Sequence, residues 1–259
     1  MNLKIENRLN DIFRKPEGKL SIYITAGYPK LDDTVMLLEV LQDSGVDFIE
    51  IGVPFSDSIM DGPVILKSHE TALANGMTIE ILFEQLEKIR EKVSIPLVLM
   101  GSMNPVYQYG FEKFCQQCRK VGIDGLLLPD LPLTDFKKEY QSFYEENNLA
   151  SVFMISPHTN SERLHEIDEA GKGFLYAVSS NSTTGGISNI EDSKSYFKRL
   201  KSKEFKNPVI VGFNINTNND VRFVNQYTSG AIVGSAFIKI IEQEINEEEI
   251  NAFIKNLRK

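Results

Sequence analysis

The chain has no tryptophan, two cysteines and three histidines among its 259 residues. Two cysteines do not make a disulfide framework. Cys115 and Cys118 form a CxxC inside a helical stretch, FEKFCQQCRK, with no second Cys/His pair elsewhere. Helix packing is therefore their expected role rather than metal or redox chemistry. His69, His158 and His165 show no HExxH or similar spacing, so no metal site is expected. Cationic residues are the minority. The 28 Lys and Arg face 36 Asp and Glu, for a formal net charge of −8. No basic stripe offsets this balance, which argues against a nucleic-acid partner. Long apolar runs are also missing: 231–240 (AIVGSAFIKI) is broken by Gly, Ser and Lys. Nothing approaches the roughly 18 unbroken apolar residues of a membrane span. The opening MNLKIENRLNDIF alternates polar and apolar residues and lacks a signal peptide's apolar core. These absences point to a soluble, cytoplasmic protein in a reducing compartment. No linker or low-complexity segment divides the chain, so one domain over 1–259 is expected.

What is present is a recurring pattern. Hydrophobic residues make up 42% of the chain, enough for a large core. Eight short apolar runs stand at 20–25, 48–52, 97–100, 125–128, 151–155, 173–178, 209–212 and 231–234. Amphipathic stretches lie between them, among them 33–44, 78–92 and 246–257. Asp32 or Asp33 and Thr78 are suitable helix starts. Eight strand–helix units in about 250 residues predict an α/β fold, a single (β/α)8 TIM barrel. An open doubly wound sheet is the alternative. It often carries GxGxxG after its first strand, and Thr25-Ala26-Gly27-Tyr28-Pro29 stands there instead. In a barrel, chemistry belongs at the C-terminal strand ends.

The strand ends carry carboxylates and glycines. In 48–52, alternation puts Phe48, Glu50 and Gly52 on one face and Ile49 and Ile51 on the other. The isoleucines suit the face under the helices, leaving Glu50 inside the barrel near its mouth. Such a glutamate is either structural and bonded to backbone, or a general acid/base with a shifted pKa. Asp57 and Asp61 follow closely. Asp61-Gly62-Pro63 reads as a turn on its own, but two carboxylates from one strand–loop unit favour acid/base catalysis. After the last two strands stand Val211-Gly212-Phe213-Asn214 and Gly230–Ala236. Glycines there suit either tight turns or a phosphate site built from backbone N–H groups. Gly185-Gly186, in the Ser/Thr/Asn-rich stretch 179–189, suits a loop that closes over a ligand. No run carries an interior lysine, which speaks against a Schiff-base aldolase.

These residues resemble a known family. FIEIGVPFSDSIMDGP at 48–63 is similar to the signature of tryptophan synthase α subunits, E-[LI]-G-x-P-F-S-D-P-x-A-D-G-P. YITAGYP at 23–29, GIDGLLLPDLP at 122–132, GFLYAVS at 173–179 and the run 230–236 resemble further motifs in the same order. The resemblance implies a (β/α)8 barrel that cleaves indole-3-glycerol phosphate to indole and glyceraldehyde 3-phosphate in a retro-aldol reaction. It implies Glu50 as proton-shuttling glutamate and Asp61 as second catalytic carboxylate. Tyr23, Tyr176, Thr184, Gly185, Gly212, Phe213, Asn214, Gly234 and Ser235 would bind substrate. No cofactor is implied for this chain, pyridoxal phosphate being expected on a β-subunit partner in an α2β2 assembly. Pro54, Asp57, Asn104 and Pro105 would face that partner.

The sequence departs from the family pattern at several points. Ser58 stands where Pro is usual, which loosens that loop. Met60 replaces a small Ala beside Asp61, and Leu66 stands where Gln is common. Gly101-Ser102-Met103 lacks the usual bulkier tyrosines, and Ser182-Thr183 replaces Gly-Val. Asn214 occupies a glycine of the G-F-G phosphate loop. Asn tolerates positive φ better than most residues, while its side chain adds bulk beside a phosphate. Besides an active α subunit, two readings are open: a ligand-binding regulatory subunit with weakened catalysis, and a free-standing lyase. The intact Glu50/Asp61 pair argues against the regulatory one.

Overall fold

The computed structural model describes residues 5–15, 18–58, 60–179 and 190–259. Eight parallel strands close into a barrel in chain order. They are β1 (Lys19–Thr25), β2 (Phe48–Gly52), β3 (Leu97–Met100), β4 (Gly125–Leu127), β5 (Ala150–Ile155), β6 (Leu175–Val178), β7 (Val209–Gly212) and β8 (Gly230–Val233). β1 pairs with both β2 and β8, which shuts the ring. The predicted runs match these strands to within one or two residues at their ends. β1 begins at Lys19, a buried lysine at the N-terminal end of the barrel.

Alternation along each strand sorts side chains between two cores. Leu20, Ile22 and Ile24 face the helices, and Ser21, Tyr23 and Thr25 face the interior. β1 registers against β2 so that Tyr23 sits opposite Glu50 and Thr25 opposite Gly52. Lower in the barrel three aromatic rings pack together. Phe48 and Phe174 have centroids 5.5 Å apart, and Phe13 lies 6.2 and 6.1 Å from them. Phe13 comes from the end of α1 (Arg8–Ile12), the helix that precedes β1. Burying a ring of this kind contributes about 1.5–3 kcal/mol. The cluster also keeps water away from whatever sits above it.

The helices start where their capping residues stand. The α2 helix (Asp33–Asp43) follows Asp32, as expected. Asn246 caps Glu247–Leu257 by accepting from the backbone N–H groups of Glu248 and Glu249. Asp61-Gly62-Pro63 is not a turn between loops. Gly62 caps α3 (Pro63–Ala74) and Pro63 fills its first position, where a missing N–H costs nothing. The stretch 78–92 differs from one continuous helix. Thr78 caps Ile79–Leu86, and a separate 3-10 turn follows at Ile89–Glu91. That turn presents Arg90 to the carbonyls of Gly122, Val93 and Ile95 and to the Asp124 carboxylate. Partners some thirty residues away thus override the local helical periodicity. No helix among the described residues is long and apolar enough to cross a membrane.

Candidate active site

A cavity of about 280 Å³ opens at the C-terminal mouth of the barrel. Tyr23, Glu50, Asp61 and Tyr176 line it on one side, and Phe213, Asn214, Gly234 and Ser235 on the other. Residues from β1, β2 and β6 thus meet the loops that follow β7 and β8. The barrel brings these eight predicted residues together although they span more than two hundred positions of sequence.

Glu50 is 1% exposed. Neither carboxyl oxygen has a hydrogen-bond partner among the described residues. A structural glutamate bonded to backbone would need such a bond. Burial, followed by the nearby charge of Asp61, pushes the Glu50 carboxyl up to about 8. The group therefore holds its proton at neutral pH while sitting in an open cavity. Asp61 ends the β2–α3 loop, where the Ser58 hydroxyl donates to its Oδ2 at 2.5 Å. One strand and its following loop place a carboxylic acid and a carboxylate on the same wall.

Two tyrosines flank this pair because two glycines make room. A Cβ at Gly52 would collide with the Tyr23 hydroxyl, and one at Gly212 with the Tyr176 hydroxyl. Gly212 thus acts by its missing side chain rather than as a lining residue. Burial raises both phenols well above their ordinary pKa, and the charges of Asp61 and Glu50 add to the shift. Both remain neutral hydrogen-bonding groups. The Phe213 ring stands edge-on to Tyr176 at 5.9 Å and extends the apolar wall.

The opposite end of the cavity is shaped by backbone. Phe213 and Asn214 both adopt left-handed conformations, at φ +67° and +54°. Such a conformation is tolerable for Asn and unusual for Phe. Ser179 holds the loop there by donating from its hydroxyl to the Phe213 carbonyl at 2.7 Å. Strain of this kind, on the order of 1–3 kcal/mol per residue, collects at ligand sites. Gly234 precedes the short helix Ser235–Ile240, whose first amides face the same space.

Other predicted residues fall elsewhere. Thr184 and Gly185, with the expected closing loop, lie outside the described residues. Pro54 is buried, whereas Asp57 and Asn104 are exposed and Pro105 is half-buried. Pro54 and Pro105 border a surface groove with Phe55 and Tyr109. Asp57 borders a smaller cavity of about 120 Å³ beside Asp61. Cys115 and Cys118 are buried on the helix Phe111–Val121, and burial pushes the Cys115 thiol up to about 12. Among the described residues, no group of three or more His, Cys, Asp or Glu is placed to hold a metal. The cavity also includes Met100, Ile65, Ile232 and Lys239, which the sequence reading did not select. Lys239 carried a usable signal, since it sits one helical turn beyond Ser235.

Fold and site together define a (β/α)8 barrel of the enzyme type, with a small-molecule cavity that holds a buried carboxyl group beside a second one. A family model described as "Tryptophan synthase alpha chain" matches residues 9–258. A protein of that name from Christiangramia forsetii is 49% identical over 97% of this chain and 98% of its own. Its counterpart from Flavobacterium psychrophilum is 46% identical over 97% and 99%. Among solved structures, the tryptophan synthase alpha chain of Legionella pneumophila superposes with a TM-score of 0.86 at 33% identity, covering 98% of this chain and 96% of that one. An aminoacrylate-bound tryptophan synthase from M. tuberculosis gives 0.85 at 30% identity, covering 97% and 98%. The chain belongs to the tryptophan synthase alpha chain family. Its reaction is the lyase cleavage of indole-3-glycerol phosphate to indole and glyceraldehyde 3-phosphate. The alpha chain needs no cofactor of its own, and its partner is the beta subunit, which carries pyridoxal phosphate.

Proposed function

We propose that Glu50 and Asp61 divide the proton chemistry of this cleavage. Breaking the C3–C3′ bond requires a proton on indole C3, which places positive charge on the ring nitrogen. Glu50, protonated at neutral pH, delivers that proton and becomes a carboxylate. As the bond breaks, its electron pair returns to the indole ring and neutralises the nitrogen. The C3′ hydroxyl becomes the aldehyde, and Glu50 takes back the hydroxyl proton. Asp61, as an anion beside N1–H, stabilises the charge that develops there. The acid is thus regenerated within one turnover and no outside proton is consumed.

The rest of the cavity positions the substrate. Tyr23, Tyr176 and Phe213 offer an apolar wall to the indole. Backbone amides around Gly212–Asn214 and Gly234–Ser235 take the phosphate, which lets an acidic chain bind a dianion locally. The family resemblance assigns Thr184 and Gly185 to substrate binding as well. The protein works as one barrel domain in the cytoplasm, in an α2β2 complex. Asp57, Asn104, Pro105 and the chain at Pro54 lie on the side that meets the beta subunit. The observation that carries this reading is a buried, unpartnered carboxylic acid facing an open cavity beside a second carboxylate. Indole release from indole-3-glycerol phosphate, with and without the cognate beta subunit, tests it. Slow release that rises sharply on adding the beta subunit is the expected result. Ligand binding without release in either condition would refute it.

A further inference from the structure

Tyr23 and His69 form a buried pair that this proton chemistry does not use. The Tyr23 hydroxyl and His69 Nε2 are 2.9 Å apart. Tyr23 stands on β1 opposite Glu50, with its ring over Gly52. His69 lies in the second turn of α3 and is 4% exposed. Its other ring nitrogen, Nδ1, meets both backbone groups of Phe55, the carbonyl oxygen at 3.2 Å and the amide nitrogen at 3.4 Å. A second bond runs in parallel between the same two elements, with Thr25 Oγ1 and Ser68 Oγ 2.6 Å apart and both residues buried.

These bonds converge on one segment. The loop from Phe55 to Asp61 contains no proline, and Ser56 and Asp57 are exposed. Its start is tied through Phe55 to His69, and its end through Asp61 to Ser58 and to the first turn of α3. His69 therefore joins the barrel wall, the loop and the helix at one point. The tie holds for either neutral tautomer. With the proton on Nδ1, the ring donates to the Phe55 carbonyl and Tyr23 donates to Nε2. With the proton on Nε2, the Phe55 amide donates to Nδ1, the ring donates to the Tyr23 oxygen, and the neutral phenol turns its O–H away from the ring. Burial lowers the imidazole pKa, opposed by the charge of Asp61 and by the Phe55 carbonyl, so the ring is neutral at pH 7.

We propose that His69, acting through Tyr23 and Phe55, is a positioning residue that holds the Asp61 loop at a fixed setting relative to Glu50. The proposal rests on the reading that Glu50 and Asp61 act on one substrate. Small displacements of reacting groups are costly, with about 1 Å worth up to a hundredfold in rate. The role should therefore appear in kcat rather than in KM.

The test compares Tyr23→Phe, His69→Leu, the double variant and His69→Gln, each with the cognate beta subunit, by indole release. Binding of glycerol 3-phosphate is measured by calorimetry in parallel. Tyr23→Phe and His69→Leu are each expected to lower kcat about tenfold, with KM and the calorimetric Kd changed less than about twofold. The double variant is expected to be no worse than the poorer single, because the two residues act as one unit. His69→Gln, which keeps a donor, should recover part of the loss. Losses that multiply to about a hundredfold in the double variant would overturn the proposal, as would a raised KM at unchanged kcat. Should His69→Leu not fold, Tyr23→Phe alone decides, since it removes one oxygen and keeps the ring. An unchanged kcat there would be fatal to the idea. Glu50→Gln in the same assay separates the two readings. Retained activity in Glu50→Gln would condemn the proton-transfer reading, whereas a dead Glu50→Gln beside a normal Tyr23→Phe would condemn only the positioning role.

Discussion

At the N-terminal end of the barrel, the carboxylate of Asp124 is met from three directions. Arg90 Nη2 donates to it at 2.7 Å, Arg8 Nε lies 3.2 Å away, and the Leu97 amide donates at 2.9 Å. Burial raises the Asp124 carboxyl above its ordinary value, and Arg90, the Leu97 amide and Arg8 hold that rise back. Burial lowers Arg90 to about 10, which still leaves it protonated at neutral pH, so the group faces cations. At the C-terminal end, Glu50 is as deeply buried and has no hydrogen-bond partner among the described residues. The barrel thus carries two buried carboxyl groups with opposite surroundings, Glu50 within β2 and Asp124 just before β4. A carboxylate that is fully bonded ties α1, β3, β4 and the Ile89–Glu91 turn together and has no proton to give. A carboxyl left unbonded keeps its proton and costs stability whenever it ionises. Stability is concentrated at one end of the barrel and reactivity at the other.

The contrast can be broken from either end. Glu50→Gln has the largest expected effect: loss of at least about a thousandfold in kcat, with the fold kept, as expected when a shuttled proton has no carrier. A variant retaining most of its indole release would refute the shuttle. Asp124→Asn at the other end should destabilise the protein by about 3 kcal/mol, because it leaves the partly buried Arg90 without its counter-charge. Denaturant unfolding would show this, and kcat at low temperature should stay near that of the parent.

The two ends should also differ in their response to pH. Folded Glu50 binds its proton more tightly than the unfolded chain, where its pKa is near 4.5. Its contribution to stability is thus fully present below about pH 4.5 and is lost as pH rises through about 8. The loss is on the order of 4 kcal/mol. Subtracting the pH–stability curve of Glu50→Gln from that of the parent should isolate this decline. A flat difference between pH 5 and 9 would contradict it. The smallest expected effect lies at the phosphate loop. Asn214→Gly removes bulk and left-handed strain at φ +54°, and should tighten glycerol 3-phosphate binding several-fold, about 1 kcal/mol. Unchanged or weaker binding by calorimetry would show that Asn214 does not crowd the site.

Much of this was legible in the sequence, for identifiable reasons. The barrel was readable because each strand is short, apolar and separated by an amphipathic stretch. The inward direction of Glu50 followed from the two isoleucines that flank it. The glycine-rich ends of β7 and β8 marked one wall of the cavity. Other features depend on long-range partners that no local pattern encodes. The helix break before Ile89–Glu91 depends on Arg90 reaching Gly122 and Asp124. The Tyr23–His69 bond joins residues 46 positions apart, and in the sequence His69 drew notice only as a metal ligand to be excluded. That Glu50 lacks a partner among the described residues is a property of everything around it, and only the folded chain reveals it. The space that Gly212 leaves for Tyr176 was likewise not readable from the glycine alone.

The central claim is that an unbonded Glu50 carries its proton at neutral pH. It is tested most directly by titrating the Glu50 side-chain carboxyl with carbon-13 NMR in protein labelled at glutamate, using Glu50→Gln to assign the signal. A midpoint near 8 is the predicted result. A midpoint near 4.5, the ordinary value, would mean that Glu50 is ionised at neutral pH and has no proton to deliver to the indole ring.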